Sequence, residues 1–231
     1  MAKVRRVSAL LLVLVGFGGF VAHQTLVTAA DSGAHAAQLS IDGAIEPTAA
    51  RFLSRGLRVA TEDGAQFLIV RVDTPGGLLS STKDMVEDIL AAEIPVVAFV
   101  SPRGAQAASA GTFIVAAAHV AAMAPATTIG AASPVGPGGE ELPETIKSKA
   151  TQNAAAYIKG IAEERGRNEG ALEKTVLNAA SYTSSEALDN GIIDLIATDV
   201  EDLLMQLDGR EVELENGENV VLDTEIGRAH V

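Results

Sequence analysis

The sequence predicts one α/β domain built on a largely parallel sheet, and three observations carry that prediction. Short apolar, β-branched runs such as Phe67-Leu-Ile-Val-Arg-Val72 and Val96-Val-Ala-Phe-Val100 alternate with longer stretches of helical periodicity. Turn signals punctuate the chain between them, so the strands are joined by crossovers, which are right-handed in such units. The composition is 48% hydrophobic but only 3% aromatic, with no Trp, which makes a core of Ala, Val, Leu and Ile large enough for one domain.

Leu39–Ile45 reads as the first strand. Pro47 then opens a helical pattern running to Gly64, because proline is favoured in a first turn. Phe67–Val72 is short and apolar enough for a buried parallel strand. It ends in the turn Asp73-Thr-Pro-Gly-Gly77 and leads to a helix over about Leu79–Ala92. The third strand, Val96–Val100, follows Pro95. A loop, Ser101–Ala108, feeds an Ala-rich helix starting near Ser109, then a short strand, Val120–Ala124, and the turn-rich stretch Pro125–Gly139. The acidic linker Gly136–Pro143 is the clearest internal break.

Beyond it, Glu144–Arg167 reads as a long helix with Ile146, Ala150, Ala154, Tyr157, Ile158 and Ile161 near one face. A second helix covers about Glu169–Ala180. Thr183-Ser-Ser-Glu186 is a capping-box signature for a short helix that Gly191 stops. Ile192–Ala197 reads as a strand and Val200–Leu207 as a helix. Glu213–Val221 forms a hairpin turning at Asn216-Gly217.

The two ends carry other information. Lys3, Arg5 and Arg6 precede an apolar run from Val7 to Ala22, followed by the small residues Thr28, Ala29 and Ala30. That order is a secretory signal or an uncleaved N-terminal membrane anchor, so the rest of the chain is expected outside the cytoplasm. At the other end, Glu225-Ile-Gly-Arg-Ala-His-Val231 matches one reading frame of a common sequencing-library adapter. The natural chain is expected to continue past Thr224, and His230 carries no functional weight. The expected divisions are a signal or anchor at 1–30, a spacer at 31–37, the folded domain at 38–209, an acidic hairpin opening a further region at 210–224, and the adapter-like tail at 225–231.

A net charge of −13 excludes nucleic acid as a partner, because phosphate binding needs a basic surface. The absence of Cys excludes disulfides, thiol catalysis and Cys-based metal sites, and no cofactor or metal is called for.

Three local features bear on chemistry. Pro75-Gly-Gly77 ends a buried strand, where glycines leave N–H groups facing outward that can stabilise an oxyanion or simply make a turn. Ala107-Ala-Ser-Ala-Gly111 sets one Ser among the smallest residues at a helix start. There Ser109 is a candidate nucleophile or a plain N-cap, and the Ala110 N–H a second oxyanion donor. A serine nucleophile needs a base. His23 lies in the export segment, His35 in the spacer and His230 in the tail. His119 stands ten residues along the presumed helix of Ser109, about 15 Å away. Lysine is the remaining route, since a desolvated Lys can lose its proton near neutral pH. Lys3 is in the signal, Lys83 and Lys174 fall on charged helix faces, and Lys159 sits beside Glu163 on a solvated face. Lys147 and Lys149 remain. Lys149 falls in a weakly polar helix start where partial burial is plausible, and the residues alone leave an ordinary surface role open for either.

The motifs Val72-Asp-Thr-Pro-Gly-Gly77, Ala107-Ala-Ser-Ala-Gly-Thr112, Met123-Ala-Pro125, Thr128-Ile-Gly-Ala131, Lys149-Ala-Thr151, Ala156-Tyr-Ile158 and Gly166-Arg-Asn168 occur in the order and spacing of one family. Over roughly Gln38 to Thr198 the chain resembles the NfeD-type membrane serine peptidases, ClpP-class enzymes also called stomatin operon partner proteins. The resemblance implies a ClpP/crotonase-like superhelix of ββα units and a Ser–Lys dyad. It puts the nucleophile on Ser109, the base on Lys149 rather than Lys147, and the oxyanion element on Gly76 and Gly77, with Gly77 favoured as donor. It further implies apolar peptide or protein segments as substrates, a stomatin- or flotillin-like membrane partner, and homo-oligomers. Longer members continue into transmembrane helices and a small β-barrel. The family commonly has His where this chain has Ser133 and a basic residue where it has Gln106. Two rivals remain: a crotonase-fold acyl-CoA enzyme, against which export argues, and a non-catalytic scaffold of a membrane assembly.

Overall fold

The structure, a computed structural model, describes residues 35–136 and 139–224. The expected export segment 1–30, most of the spacer, Pro137 and Gly138 of the linker, and the tail 225–231 lie outside the described residues, as do His23 and His230.

A five-stranded parallel sheet organises the domain in the order β1-β2-β3-β5-β8. Its strands are β1 (Ala36–Asp42), β2 (Phe67–Asp73), β3 (Val96–Val100), β5 (Val120–Met123) and β8 (Leu195–Ile196). The period-2 alternation of strand side chains divides them between two cores. Leu68, Val70, Val72, Ala98, Val100, Ala121 and Met123 face one core. Phe67, Ile69, Val97, Phe99, Val120 and Ala122 face the other. Burying a side chain of this size contributes about 1.5–3 kcal/mol, so the central strands read as continuous apolar runs.

The larger core is covered by helices. Helix α1 (Pro47–Glu62) buries Ala50, Leu53, Leu57 and Ala60, a helical spacing, and α2 (Leu79–Leu90) buries Met85, Val86 and Ile89. Helix α3 (Ala110–Ala117) is buried along its whole length. Helices α4 (Glu144–Glu164) and α5 (Glu169–Leu177) complete that layer, with Ile158, Ile161, Leu172 and Val176 in the core. The second core lies under α7 (Val200–Leu207) and the antiparallel hairpin of β9 (Glu211–Glu213) and β10 (Asn219–Val221).

A small second sheet carries the site. It has the order β4-β6-β7, from β4 (Gln106–Ala108), β6 (Thr128–Gly130) and β7 (Ser181–Thr183). A parallel bridge between Thr74 and Ala107 joins β4 to the end of β2. Helix α6 (Ser184–Asp189) opens on the expected capping box: Thr183 accepts from the Glu186 N–H, and Glu186 accepts from the Thr183 N–H.

Several expectations shift. The stretches read as a loop before Ser109 and as turns after Pro125 contain β4 and β6, and the helix expected to run to Ala180 stops at Leu177 before β7. These three-residue strands exist only through long-range pairing, so no local periodicity marks them. The expected strand Ile192–Ala197 is reduced to Leu195–Ile196. Ile146, placed on the inner face of α4, is exposed because the first two turns of that helix precede its contact with the core at Ala154.

The described ends of the domain meet at one residue. The Gln66 N–H donates to His35 O at 2.9 Å, and Gln66 Oε1 accepts from the Asp223 N–H at 3.2 Å. Gln66 precedes β2, whereas the turn Thr74–Gly77 follows it, about 23 Å away along the strand.

Candidate active site

The turn after β2 is locked from inside. Thr74 is fully buried; its N–H donates to Gln106 O at 2.7 Å, and its carbonyl accepts from the Ala108 N–H at 3.0 Å. Thr74 Oγ1 accepts from the Gly76 N–H at 3.0 Å and donates to Gly76 O at 3.3 Å. Gly76 has φ +117°, and a Cβ there would stand 2.5 Å from Ser109 Cβ, so only glycine fits both the backbone and the contact. Gly77 lies against Ile45, whose N–H donates to Gly76 O at 2.8 Å and whose carbonyl accepts from the Leu78 N–H at 2.8 Å. A Cβ on Gly77 would run into the Ile45 backbone. The two glycines are therefore not equivalent. The Gly76 N–H is consumed by Thr74, whereas the Gly77 N–H donates to nothing among the described residues.

Ser109 stands beside this turn with φ +50° and ψ −111°, outside the β-region backbone of an ordinary N-cap. It occupies the N-cap position of α3, yet its side chain makes no capping bond. The plain N-cap reading is thus corrected: this backbone does not aim Oγ at the first helical N–H groups. The Ser109 hydroxyl bonds to nothing among the described residues. Its backbone is held by its N–H, which donates to Ala131 O, and by its carbonyl, which accepts from the Thr112 N–H, both at 3.0 Å. Ala131 has φ +28° and donates its N–H to Ala180 O at 2.9 Å, next to Ala179 at φ +51°. Such non-glycine positions cost about 1–3 kcal/mol each and gather where a site is held in place by its surroundings. Ala110 begins α3, and its N–H donates to nothing among the described residues; the helix N-terminus adds partial positive charge there.

The candidate bases are disposed as follows. His119 lies past the end of α3, where its Nδ1 accepts from the Val96 N–H at 3.1 Å. Burial, with Arg165 and Arg167 nearby, pushes its pKa down to about 3, and its Nε2 is buried without a partner. His35 supplies only its carbonyl to Gln66. Lys83 lies over the Tyr157 ring, 5.6 Å from its centroid. Lys159 pairs with Glu173 on α5 at 3.8 Å, not with Glu163. Lys147 is half-buried and pairs with Glu141 at 3.6 Å. Lys149 is exposed on the second turn of α4, which corrects the expectation of partial burial there. No hydrogen bond joins Lys149 Nζ to Ser109 Oγ. The structure brings Gly76, Gly77, Ser109 and Ala110 together, and Lys149 makes no hydrogen bond to any of them.

The two positions that depart from the family pattern are both engaged. Ser133 Oγ donates to Val176 O at 2.6 Å, and the Gln106 N–H donates to Asp73 Oδ1 at 3.0 Å. Thr74 is the residue that sequence reasoning passed over, although a Thr directly before Pro-Gly-Gly at a strand end was a signal for a hydroxyl tying down the turn.

The family model described as NfeD1b, N-terminal domain, matches residues 36–216. The membrane-bound protease PH1510 of Pyrococcus horikoshii is 38% identical over 172 residues, which cover 73% of this chain and 39% of the relative. The membrane protein NfeD1b of Bacillus subtilis is 37% identical over 110 residues, 48% of this chain and 24% of that one. The chain thus spans less than half the length of the curated relatives it matches. Among solved structures, a lysine-to-alanine mutant of the 1510-N membrane-bound stomatin-specific protease, in complex with a substrate peptide, superposes with a TM-score of 0.77 at 35% identity. That match covers 83% of this chain and 89% of the other. ClpP1 from Listeria monocytogenes, at 20% identity and a TM-score of 0.57 over 70% of this chain and 91% of that one, shares the fold. The chain belongs to the NfeD family, and residues 36–216 are its ClpP-like N-terminal domain.

Proposed function

We propose that this chain is a membrane-associated, extracytoplasmic serine endopeptidase in which Ser109 is the nucleophile and Lys149 the general base. One observation carries the reading: an uncommitted Ser109 hydroxyl, on a strained backbone, stands next to two unclaimed backbone N–H groups. Lys149 takes the Ser109 Oγ proton as Oγ forms a bond to the peptide carbonyl carbon. The Gly77 and Ala110 N–H groups hold the oxyanion. Lys149 returns the proton to the leaving amine as the C–N bond breaks, and water then releases the acyl group from Ser109.

The substrate proposed is an apolar segment of a stomatin-like membrane protein, by analogy with relatives named as stomatin-specific proteases. Exposed Leu78 and Leu79, directly after Gly77, suit such a segment. Membrane association rests on the apolar run Val7–Ala22 and on the names of the relatives; among the described residues no helix is long and apolar enough to cross a membrane. The proposed divisions remain a signal or anchor at 1–30 and a peptidase domain at 38–209, and the working form is a homo-oligomer.

Ser109→Ala and Lys149→Ala should each abolish cleavage of a hydrophobic peptide, a loss of several orders of magnitude in turnover. Retained cleavage in either variant refutes the dyad. The exposure of Lys149 and the lack of a hydrogen bond from it to Ser109 favour a second reading, a non-catalytic scaffold of a stomatin- or flotillin-like assembly. A fluorophosphonate probe decides between them: labelling of Ser109 in the wild type supports the enzyme, and a wild type that stays unlabelled supports the scaffold.

A further inference from the structure

We infer that Arg167 is a positioning residue for Ser109, acting through the far end of α3. The inference rests on the reading of Ser109 as nucleophile. Helix α3 is a short rod of eight residues. Beyond its last turn the chain enters β5, so the carbonyls of Ala116, Ala117 and Ala118 find no helical donors, and burial denies them water. Two guanidinium groups from the turn between α4 and α5 take all three. Arg167 Nε donates to Ala116 O at 3.1 Å and Nη2 to Ala118 O at 2.9 Å, while Arg165 Nε donates to Ala117 O at 2.7 Å.

Arg167 is the firmer of the two. Its side chain is 3% exposed and pairs with Asp194, Nη1 to Oδ2, at 3.0 Å. The same carboxylate accepts the Ala121 N–H of β5 at 2.7 Å and Arg210 Nη2 at 3.1 Å. Nη1 also reaches Ile192 O at 3.3 Å. The sheet therefore grips the guanidinium, and the guanidinium grips α3.

Methyl side chains alone cannot set the axial position of a helix, and the end of α3 carries only alanines, Ala116 to Ala118. Its other end is tied as well: the Ser109 N–H donates to Ala131 O at 3.0 Å, and Phe113, Ile114 and Val115 pack into the core. Gly111 seats against Thr74, where a Cβ would come within 2.6 Å of Cγ2, and Thr112 Oγ1 donates to Ala107 O at 3.0 Å. The directional bonds at the C-terminal end add a second anchor that resists sliding of α3 along its axis. The axial position of α3 sets where Ser109 Oγ and the Ala110 N–H stand relative to Gly77.

The test uses the full chain carrying Arg167→Ala, assayed on a hydrophobic peptide with and without millimolar guanidinium. A misplacement of about 1 Å costs on the order of 100-fold in rate, so kcat should fall by about that factor with KM unchanged. Added guanidinium should restore part of kcat, and Arg167→Lys should fall between wild type and Arg167→Ala. A parallel loss of kcat and melting temperature without rescue by guanidinium or lysine would mark Arg167 as merely structural and overturn the inference. Hydrogen exchange separates this failure from failure of the peptidase reading. If the wild type itself does not turn over, α3 amides must still exchange faster in Arg167→Ala than in wild type, with β2 amides unchanged and guanidinium reversing the effect. Unaltered α3 exchange overturns it.

Discussion

Replacing Ser109 by alanine and by glycine separates the hydroxyl from the backbone that presents it. Alanine removes Oγ, which bonds to nothing among the described residues, but keeps a Cβ at φ +50° and ψ −111°. Its stability should lie within about 0.5 kcal/mol of wild type. Glycine removes the steric cost as well. Relief of about 1–3 kcal/mol, less about 0.4–1 kcal/mol for the greater freedom of glycine in the unfolded chain, leaves a net gain near 1 kcal/mol over alanine. In a domain of this size that is a rise in Tm of about 2–4 °C. Urea titration and thermal melts of the three proteins supply the measurement, with fluorophosphonate labelling absent from both variants. A Ser109→Gly protein no more stable than Ser109→Ala would show that the positive φ stores no strain and that the surroundings do not force Ser109 into place.

Two further predictions concern the supports of the site. His119 is held neutral by burial and by Arg165 and Arg167, with a folded pKa of about 3 against 6.5 unfolded. The unfolded chain thus binds the extra proton first, so stability is complete above pH 6.5 and falls toward pH 3, by at most about 1.4 kcal/mol per pH unit. His119→Gln, whose amide oxygen can accept the Val96 N–H, should flatten that acid limb in urea titrations at pH 7 and pH 5; equal slopes in both proteins would remove His119 as its source. Thr74→Val leaves the buried Gly76 N–H without its acceptor and should cost about 1–3 kcal/mol, whereas Thr74→Ser should retain most of the stability. Equal losses in both would assign the effect to packing instead of the hydroxyl.

Much of the frame was legible because each element carried a local cause. Phe67–Val70 and Val96–Val100 are apolar on both faces because they pack on both faces, and Thr183 and Glu186 announce their helix by reciprocal bonds. The strands that were missed, Gln106–Ala108, Thr128–Gly130 and Ser181–Thr183, owe their existence to partners from about twenty to more than fifty residues away. The site followed the same division. Ser109 and the glycines were visible as small residues at element junctions, but the inequality of Gly76 and Gly77 lies in a hydroxyl two residues upstream. Arg167 grips carbonyls about fifty residues away, a relation no spacing rule contains. Lys149 was placed in a setting more buried than the one it occupies, because the first turns of α4 run ahead of the body they later pack on.

The meeting of His35 and Asp223 at Gln66 has a mechanical consequence. Tension on whatever flanks the described domain enters and leaves at a single point, so it closes on itself through β1, Gln66 and the terminal hairpin. The load path does not cross the turn at Thr74 or the helix behind Ser109, which stand at the other end of β2. A domain built this way can be tugged at its described ends without the end that carries Ser109 feeling the strain.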